Sequence, residues 1–446
     1  MSFKKLNNIT GWIVWAIAST VYILTAEAGG SLWDCGEFVS SCFKVQVPHP
    51  PGAPLFVLLG RIFIVVFGDN PMNAAKAVNV LSALASGFTI LFLFWTITHF
   101  ARKIFHKESG ELSGQQIFTV MAAGVVGALA YTFSDSFWFS AVEGEVYALS
   151  SLFTALVFWM MLKWEHSADQ PGADKWIILI FFMMGLSIGV HLLNLLTIPA
   201  IVMIYYFKRY KVSPWGTFWA FIIGCGVTGI TQKVVIQYTV SAAGSFDVFF
   251  VNSLGLPFFS GFIFYFALLA GLIWYGIRIA NSDKISTVKF GIWLFLLIFS
   301  VMYPLLGAGS TASFVVKLVL AAAAAFALAN YGYSTLKKNP YFLKLAMWCF
   351  AFMMFGYSTY VTTMVRSNAD PAVDMFNVDN PMSLVGYLGR EQYGDFPLIY
   401  GQVFTATPES YEDGAKKYSK GRDKYIFTGY DVAPKYAADD TMFLPR

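Results

Sequence analysis

The sequence is poor in charged residues. Only 13% of its 446 residues are Asp, Glu, Lys or Arg, whereas soluble domains carry roughly 25%. Hydrophobic residues make up 57%, and the mean hydropathy is +0.60. The net charge is only +4, and the basic residues stand in short clusters between apolar runs, so no nucleic-acid partner is predicted. This composition excludes an ordinary soluble domain and predicts a polytopic membrane protein.

The sequence also lacks two short motifs that identify many soluble enzymes. It contains no Walker A loop and no HExxH. Its four cysteines show no CxxC spacing, so no metal-binding cluster is predicted. Cys35 and Cys42 are the only pair placed to meet, and since a disulfide needs an oxidising compartment, their pairing stays open. No cofactor is predicted, and use of a divalent metal also stays open.

Apolar runs of the length that crosses a bilayer, about 20 residues, recur along the chain. We predict an all-α bundle of about eleven spans. They lie near residues 10–27, 74–99, 115–134, 146–163, 176–190, 192–207, 214–235, 257–279, 287–306, 311–330 and 342–364. Within the long apolar stretch 176–207, "GVHLLN" predicts a hairpin. The run 54–67 is short and contains Arg61, which predicts a helix at the interface or dipping into it.

Lysines and arginines segregate to alternate loops, as the positive-inside rule requires of a membrane protein. With a cytoplasmic N-terminus, the basic clusters all fall on one side, near residues 4–5, 102–107, 163–175, 208–211, 278–289 and 337–338. We therefore predict a transmembrane domain over residues 1–364 and a small extracytoplasmic segment over 365–446. The chain ends at "TMFLPR" without an evident closing element, which suggests a longer natural protein or a tail that docks elsewhere.

The loop after the first span carries the strongest candidate for chemistry. Its sequence, "GGSLWDCGEFVSSCFKVQVPHPPGAPLF", contains Asp34 and Glu37 among aromatic residues that we expect to desolvate them in part and so suit them to base chemistry. The prolines lock the backbone and remove amide donors, which holds His49 at a fixed place. We predict catalytic roles for the two acids and substrate binding by His49.

Other polar residues fall on the same predicted face and are candidates for substrate binding. They are Glu143 and Glu145 in "SDSFWFSAVEGEVYAL", His191 and Asn194 in the "GVHLLN" hairpin, and Arg366 at the end of the last span. Structural roles compete with this interpretation, because acids favour helix N-termini, hairpin residues cap helices and arginine snorkels. An arginine fork also matches phosphate geometry, which makes Arg366 a candidate for a donor phosphate.

Several of these motifs together resemble a known family. The acids of "WDCGEF", the "PHPPG" loop with its short helix, and "AVNVLSALASG" resemble the GT-C membrane glycosyltransferases. With "AVEGEVYAL" and "GLSIGVHLLNLLTIPAI" the resemblance is to glycosyltransferase family 117, which includes animal O-mannosyltransferases and many bacterial relatives. It covers most of the chain up to about residue 400. Cys35 stands where a small residue such as Ser is expected, and the long soluble C-terminal region of many bacterial relatives is lacking.

The resemblance implies an inverting transfer of a sugar, with mannose favoured, from a polyprenyl-phosphate donor to Ser or Thr hydroxyls of extracytoplasmic proteins. Asp34 corresponds to the general base, Glu37 to the second acid of the motif and His49 to the loop histidine. A lipid-linked donor also suits a site outside the cytosol, where no ATP is present. The expected location is the inner membrane, with the site on its periplasmic face. The oligomeric state stays open.

Two alternatives remain at this stage. A GT-C enzyme could glycosylate a lipid or a cell-envelope glycan, and a lipid-open cavity would favour that acceptor. A transporter is the other alternative, but secondary transporters often show internal repeats, and this sequence has no evident repeat.

The predicted sidedness can be tested by labelling single cysteines. Lys107→Cys and Asp374→Cys should react with membrane-impermeant maleimide from opposite faces, because the charge asymmetry places these positions in loops on different sides. Labelling of both positions from the same side would contradict the topology.

Overall fold

The computed structural model describes residues 2–105, 112–282, 286–307, 311–338, 340–394, 397 and 399–445. Of the described residues, 73% are helical. Among the described residues, ten helices are long and apolar enough to cross a membrane. The predicted class, an all-α polytopic membrane protein, is confirmed.

The described part of the chain contains seventeen α-helices, a π-helical segment (Thr231–Tyr238), three short 3₁₀ helices and four strands. The helices are α1 (Phe3–Thr25), α2 (Cys35–Lys44), α3 (Pro54–Val66), α4 (Pro71–Phe105), α5 (Gly114–Thr132), α6 (Asp135–Val142), α7 (Val146–Ser167), α8 (Lys175–Ile188), α9 (Ile198–Arg209), α10 (Pro214–Ile230), α11 (Thr239–Leu254), α12 (Ser260–Ala280), α13 (Thr287–Gly307), α14 (Thr311–Lys338), α15 (Tyr341–Tyr357), α16 (Tyr360–Ser367) and α17 (Pro381–Gly389). The strands are β1 (Tyr400–Gln402), β2 (Ser410–Lys420), β3 (Tyr425–Lys435) and β4 (Thr441–Phe443).

The observed helices agree closely with the predicted spans. Ten of the eleven predicted spans fall on the ten candidate spans, and the remaining one, 176–190, falls on α8, whose 14 residues are fewer than the roughly 20 needed for a crossing. The predicted hairpin is present, since α8 ends at Ile188 and a short 3₁₀ helix, Leu192–Thr197, precedes α9. The short run at 54–67 forms helix α3. Its location at the membrane interface stays a prediction.

The chain divides into two compact units. The first contains Met1–Pro48, Gly52–Gly229 and Trp348–Asp374, and the second contains His49–Pro51, Ile230–Met347 and Met375–Arg446. The segment 49–51 is only three residues long, and peptide bonds join it on both sides to the first unit. Its position is therefore constrained by Pro48 and Gly52. The predicted boundary at residue 364 concerns membrane sidedness and stays a prediction.

Helix α4 is the central helix of the first unit, where it packs against α1, α5 and α7. Small residues bring these helices close together, since a Cβ atom at Gly87 would overlap the side chain of Ser19 on α1. Tyr22 is fully buried near the end of α1, and its hydroxyl donates to the backbone carbonyl of Thr132 at 2.8 Å. These contacts fix the end of α1, from which the first loop emerges.

The second unit is organised around Asp247, which is fully buried in α11. Its carboxylate accepts hydrogen bonds from the backbone N–H groups of Phe259, Gly261 and Phe262 at 3.1, 2.9 and 3.2 Å, at the start of α12. The same carboxylate accepts a bond from the Tyr425 hydroxyl at 2.7 Å. Burial and the nearby Asp247 raise the pKa of Tyr425 well above its usual value, so its hydroxyl remains a donor.

Tyr425 begins strand β3 and attaches the C-terminal strands to the helices. Its backbone N–H donates to Asn252 Oδ1 at 2.8 Å, and Asn252 Nδ2 donates to its carbonyl at 2.9 Å. Strands β2 and β3 pair antiparallel, with Ser410 opposite Lys435 and Lys420 opposite Tyr425. The segment after residue 365, predicted to be a small folded segment, thus contains two short antiparallel strand pairs, β2–β3 and β1–β4.

Substituting Tyr425→Phe tests this attachment. The loss of one bond to a buried carboxylate should cost about 1–3 kcal/mol. Hydrogen exchange at the amides of β3 should then become roughly 10- to 100-fold faster in the detergent-solubilised protein, provided that these amides exchange through detachment of the hairpin. Tyr411→Phe is the matched control, because the Tyr411 side chain is 65% exposed. Unchanged exchange in Tyr425→Phe would contradict the assignment.

Candidate functional site

Helix α2 positions the two acids of the first loop. Asp34 is the N-cap residue of α2, and Glu37 lies in its first turn, where a negative charge favours the helix dipole. The helix buries Cys35, Phe38 and Cys42 at helical spacing, which leaves Asp34 exposed and Glu37 half-buried. Both acids are thus accessible to a substrate.

The aromatic shielding expected around these acids is only partly present. Phe38 is buried in the core and stacks edge-on against Phe56, with ring centroids 5.5 Å apart. Trp33, by contrast, is 90% exposed and adopts a positive φ of 59°. The expectation that Trp33 desolvates Asp34 was wrong, because the turn before α2 directs the indole away from the protein.

The proline loop, residues 45–53, is fastened on the side that precedes its histidine. Arg366 Nε donates to the Val45 carbonyl at 2.7 Å. The Val373 N–H donates to Gln46 Oε1 at 2.8 Å, and the Val47 N–H donates to the Val373 carbonyl at 3.0 Å. The backbone leading to His49 is therefore held by residues more than 300 positions away in sequence.

The loop is fastened again on the side that follows its histidine. The Tyr360 hydroxyl lies within hydrogen-bond distance of two carbonyls, those of Gly52 at 3.3 Å and Ile188 at 3.1 Å. The Leu55 N–H donates to the Gly189 carbonyl at 2.8 Å. Because both flanks are fixed, the backbone of His49 has little freedom to move.

The structure brings Asp34, Glu37 and His49 together. One ligand-type atom of each residue, a carboxylate oxygen or an imidazole nitrogen, lies within 4.8 Å of the corresponding atoms of the other two. The sequence analysis selected all three residues but did not predict this contact between them. We call them the acid–histidine cluster. Such a group can move a proton, pair with a charged substrate or bind a cation.

Glu143 and Glu145 lie beside the start of α2 in the turn between α6 and α7. Both are buried, with exposed fractions of 8% and 4%. Glu145 caps α7 by accepting from the Val146 N–H at 3.1 Å, and the Cys35 Sγ donates to its Oε1 at 4.0 Å. Burial, followed by the charges of Glu143, Glu145 and Asp34, raises the pKa of Cys35 to about 12. These three acids therefore share one region of the protein.

Two residues of α4 hold the first loop in place, and the sequence analysis missed both. Lys76 Nζ donates to the Ala26 carbonyl at 2.8 Å. Asn79 Nδ2 donates to the carbonyls of Glu27 and Gly29 at 2.9 and 3.1 Å. Asn79 belongs to the "AVNVLSALASG" motif, one of those that carry the family resemblance. A polar residue inside an apolar helix is the sequence feature that could have pointed to its role.

The hairpin residues have different surroundings. Asn194 is fully buried, and its Nδ2 donates to Ser187 Oγ at 3.0 Å, which closes the hairpin. His191 caps the 3₁₀ helix by accepting from the Leu193 N–H at 3.2 Å. The centroid of the His191 ring also lies 5.3 Å from that of the Tyr147 ring, and Tyr147 is two residues after Glu145. Substrate binding by His191 and Asn194 stays a prediction, and so does phosphate binding by Arg366, whose Nε binds the loop carbonyl.

The segment that holds the paired acids and the proline-framed histidine is similar to a known family of transferases. Residues 34–214 match the family model described as the protein O-mannosyl-transferase TMEM260 N-terminal domain. Residues 394–446 match a family of unknown function, DUF8416. The resemblance to protein O-mannosyl-transferases, inferred from the sequence, is confirmed over residues 34–214.

Two curated relatives show how far the similarity extends. Protein O-mannosyl-transferase TMEM260 of Mus musculus is 29% identical over 175 residues, which are 39% of this chain and 22% of that protein. The protein of the same name in Dictyostelium discoideum is 24% identical over 157 residues, 35% of this chain and 17% of its own. The matches thus span about a fifth of these relatives. No solved structure matches the chain significantly.

The environment of Cys35 makes a prediction about its reactivity. With a pKa of about 12, only about one thiol in 10⁴ is ionised at pH 8, and the residue is fully buried. In a background where Cys42, Cys225 and Cys349 are Ser, N-ethylmaleimide should label the folded protein at least about tenfold more slowly than the SDS-unfolded protein, since the thiolate is the reactive form. Equal rates in the two states would contradict this environment.

Proposed function

We propose that this protein is an integral-membrane glycosyltransferase that transfers a sugar, with mannose favoured, from a polyprenyl-phosphate donor to Ser or Thr hydroxyls of extracytoplasmic proteins. The supporting observation is the acid–histidine cluster, in which groups from Asp34, Glu37 and His49 lie within 4.8 Å of one another. All three residues fall inside the segment, 34–214, that matches the TMEM260 N-terminal domain.

In the proposed reaction, Asp34 acts as the general base. It accepts the proton of the acceptor hydroxyl while the hydroxyl oxygen attacks the anomeric carbon from the face opposite the leaving group. The bond between that carbon and the phosphate oxygen breaks, and the polyprenyl phosphate leaves with the electron pair, so the configuration inverts. Asp34 is exposed, which lets an acceptor approach from water. Glu37, one helical turn further on, orients the acceptor.

The donor phosphate requires positive charge near the cluster, because several carboxylates already lie there. Arg366 is our candidate for this role. Its Nε binds the Val45 carbonyl, so a phosphate would be met by the other guanidinium nitrogens. A protonated His49 would add positive charge near the donor phosphate. We place the site at the periplasmic face of the inner membrane, where a lipid-linked donor presents its phosphate at headgroup level.

A lipid or cell-envelope glycan is a second candidate acceptor, and one observation favours it. Leu32 and Trp33, directly before Asp34, are 74% and 90% exposed. Exposed apolar and aromatic side chains suit the membrane interface, where an amphipathic acceptor would lie.

Substitution of the base tests the proposal. Asp34→Asn should lower the rate of transfer from polyprenyl-phosphate mannose by about 10²- to 10⁴-fold, the usual contribution of a general base. Glu37→Gln should cost less, since Glu37 does not accept the proton. The assay would offer Ser/Thr peptides and lipid acceptors separately, which also decides between the two acceptor classes.

The control for this experiment is Asp413→Asn, an exposed acid on strand β2. Thermal unfolding should show that Asp34→Asn remains folded, because Asp34 does not cap α2 with its side chain. A loss smaller than about tenfold in Asp34→Asn would reject the base assignment. Mass spectrometry of extracytoplasmic proteins from cells that express the protein or Asp34→Asn would identify the natural acceptors.

A further inference from the structure

We infer that Asp34, Glu37 and His49 bind a divalent metal cation. The inference of binding rests on the geometry of the acid–histidine cluster alone, and only the role given to the cation rests on the proposed function. Each residue contributes one potential ligand atom, and all three atoms lie within 4.8 Å of one another. A cation bound at about 2.1 Å places neighbouring ligands about 3 Å apart. Side-chain rotations that move the ligand atoms by about 1–2 Å would therefore bring them to the spacing that a bound cation requires.

The supported backbone around the acid–histidine cluster keeps the entropic cost of binding a cation low. Asp34 and Glu37 are three residues apart at the start of one helix, a spacing that puts them on the same side. The backbone on either side of His49 is fixed by the bonds to Val45, Val47 and Gly52. Ligands held by supported backbone lose little freedom when a cation binds.

The charge of the surroundings also favours a cation. Glu145 contacts Cys35, the residue after Asp34, with its Oε1 4.0 Å from the Cys35 Sγ, Glu143 lies in the same turn as Glu145, and Glu37 lies beside Asp34. Glu143 and Glu145 are buried, where the mutual repulsion of like charges is poorly screened. A divalent ion bound at the edge of this group would offset that repulsion.

The ligand types indicate which ion the site would take. Two carboxylate oxygens suit Mg²⁺ and Mn²⁺, and an imidazole nitrogen is more readily accepted by Mn²⁺ than by Mg²⁺. Three protein ligands leave positions open for water or for phosphate oxygens. In the proposed reaction the cation would neutralise the departing phosphate. The second oxygen of Asp34 would remain to accept the proton.

Binding of Mn²⁺ alone tests the inference without any donor or acceptor. The purified protein in detergent should bind Mn²⁺ at one saturable site. Binding would be followed by electron paramagnetic resonance as a decrease in the signal of free Mn²⁺. Glu37→Gln and His49→Gln should each weaken binding at least tenfold. His166→Gln is the matched control for the histidine, because it lies at the far end of α7, about 30 Å along that helix from Val146. Asp413→Asn is the control for the acid.

The possible results separate this inference from the proposed function. Saturable Mn²⁺ binding that both site variants weaken supports the metal site, even if no sugar transfer is detected with any acceptor. Absence of saturable binding, or equal affinity in wild type and both site variants, overturns the metal site. In that case transfer that persists in EDTA would leave the proposed function standing, with His49 paired to the two acids as a protonated imidazole. Thermal unfolding of each variant without metal confirms that lost binding is not lost folding.

Discussion

The first loop depends on hydrogen bonds that helix α4 donates to the backbone where α1 ends. A helix leaves its last carbonyls without partners inside the helix, and next to an apolar bundle those carbonyls need donors. Lys76 donates to Ile23 in the last turn of α1 and to Ala26 at its C-cap, and Asn79 donates to Glu27 and Gly29 just beyond the helix. Because the chain direction after α1 is fixed in this way, α2 begins where its first turn presents Asp34 and Glu37. The acids are thus positioned by residues that carry no chemistry themselves.

The same arrangement explains why Gly144 stands between the two buried glutamates. A Cβ atom at Gly144 would lie 3.0 Å from Asn79 Oδ1 and 3.1 Å from a methyl group of Val78. Glycine lets the turn between α6 and α7 approach α4 closely, which brings Glu145 within reach of Cys35. Cys35, which stands where the resemblance leads us to expect a small residue such as Ser, is therefore a buried thiol in contact with the Glu145 carboxylate. The cysteines that the structure describes are all free.

The sequence predicted the helices well because membrane spans depend on composition over about 20 residues. It also made Asp34, Glu37 and His49 candidates, since acids beside a span and a histidine among prolines are conspicuous; their roles stay predictions. It did not predict their mutual contact or the bonds of Arg366 to Val45 and of Tyr425 to Asp247. These bonds join residues that are distant in sequence, and neither periodicity nor charge patterning carries information about such partners. Cys35 shows a further limit, because its raised pKa comes first from burial and then from the charges of Glu143 and Glu145, which are distant in sequence.

The hydrogen bonds that hold the proline loop limit where this chain can be truncated. The segment that matches the known domain ends at residue 214, yet Val45, Gln46 and Val47 obtain their partners from Arg366 and Val373. A fragment cut at the edge of the match would leave these backbone and amide groups unpaired beside the acids. We therefore expect the proline loop of this chain to require the distal strip 360–374 for its observed conformation.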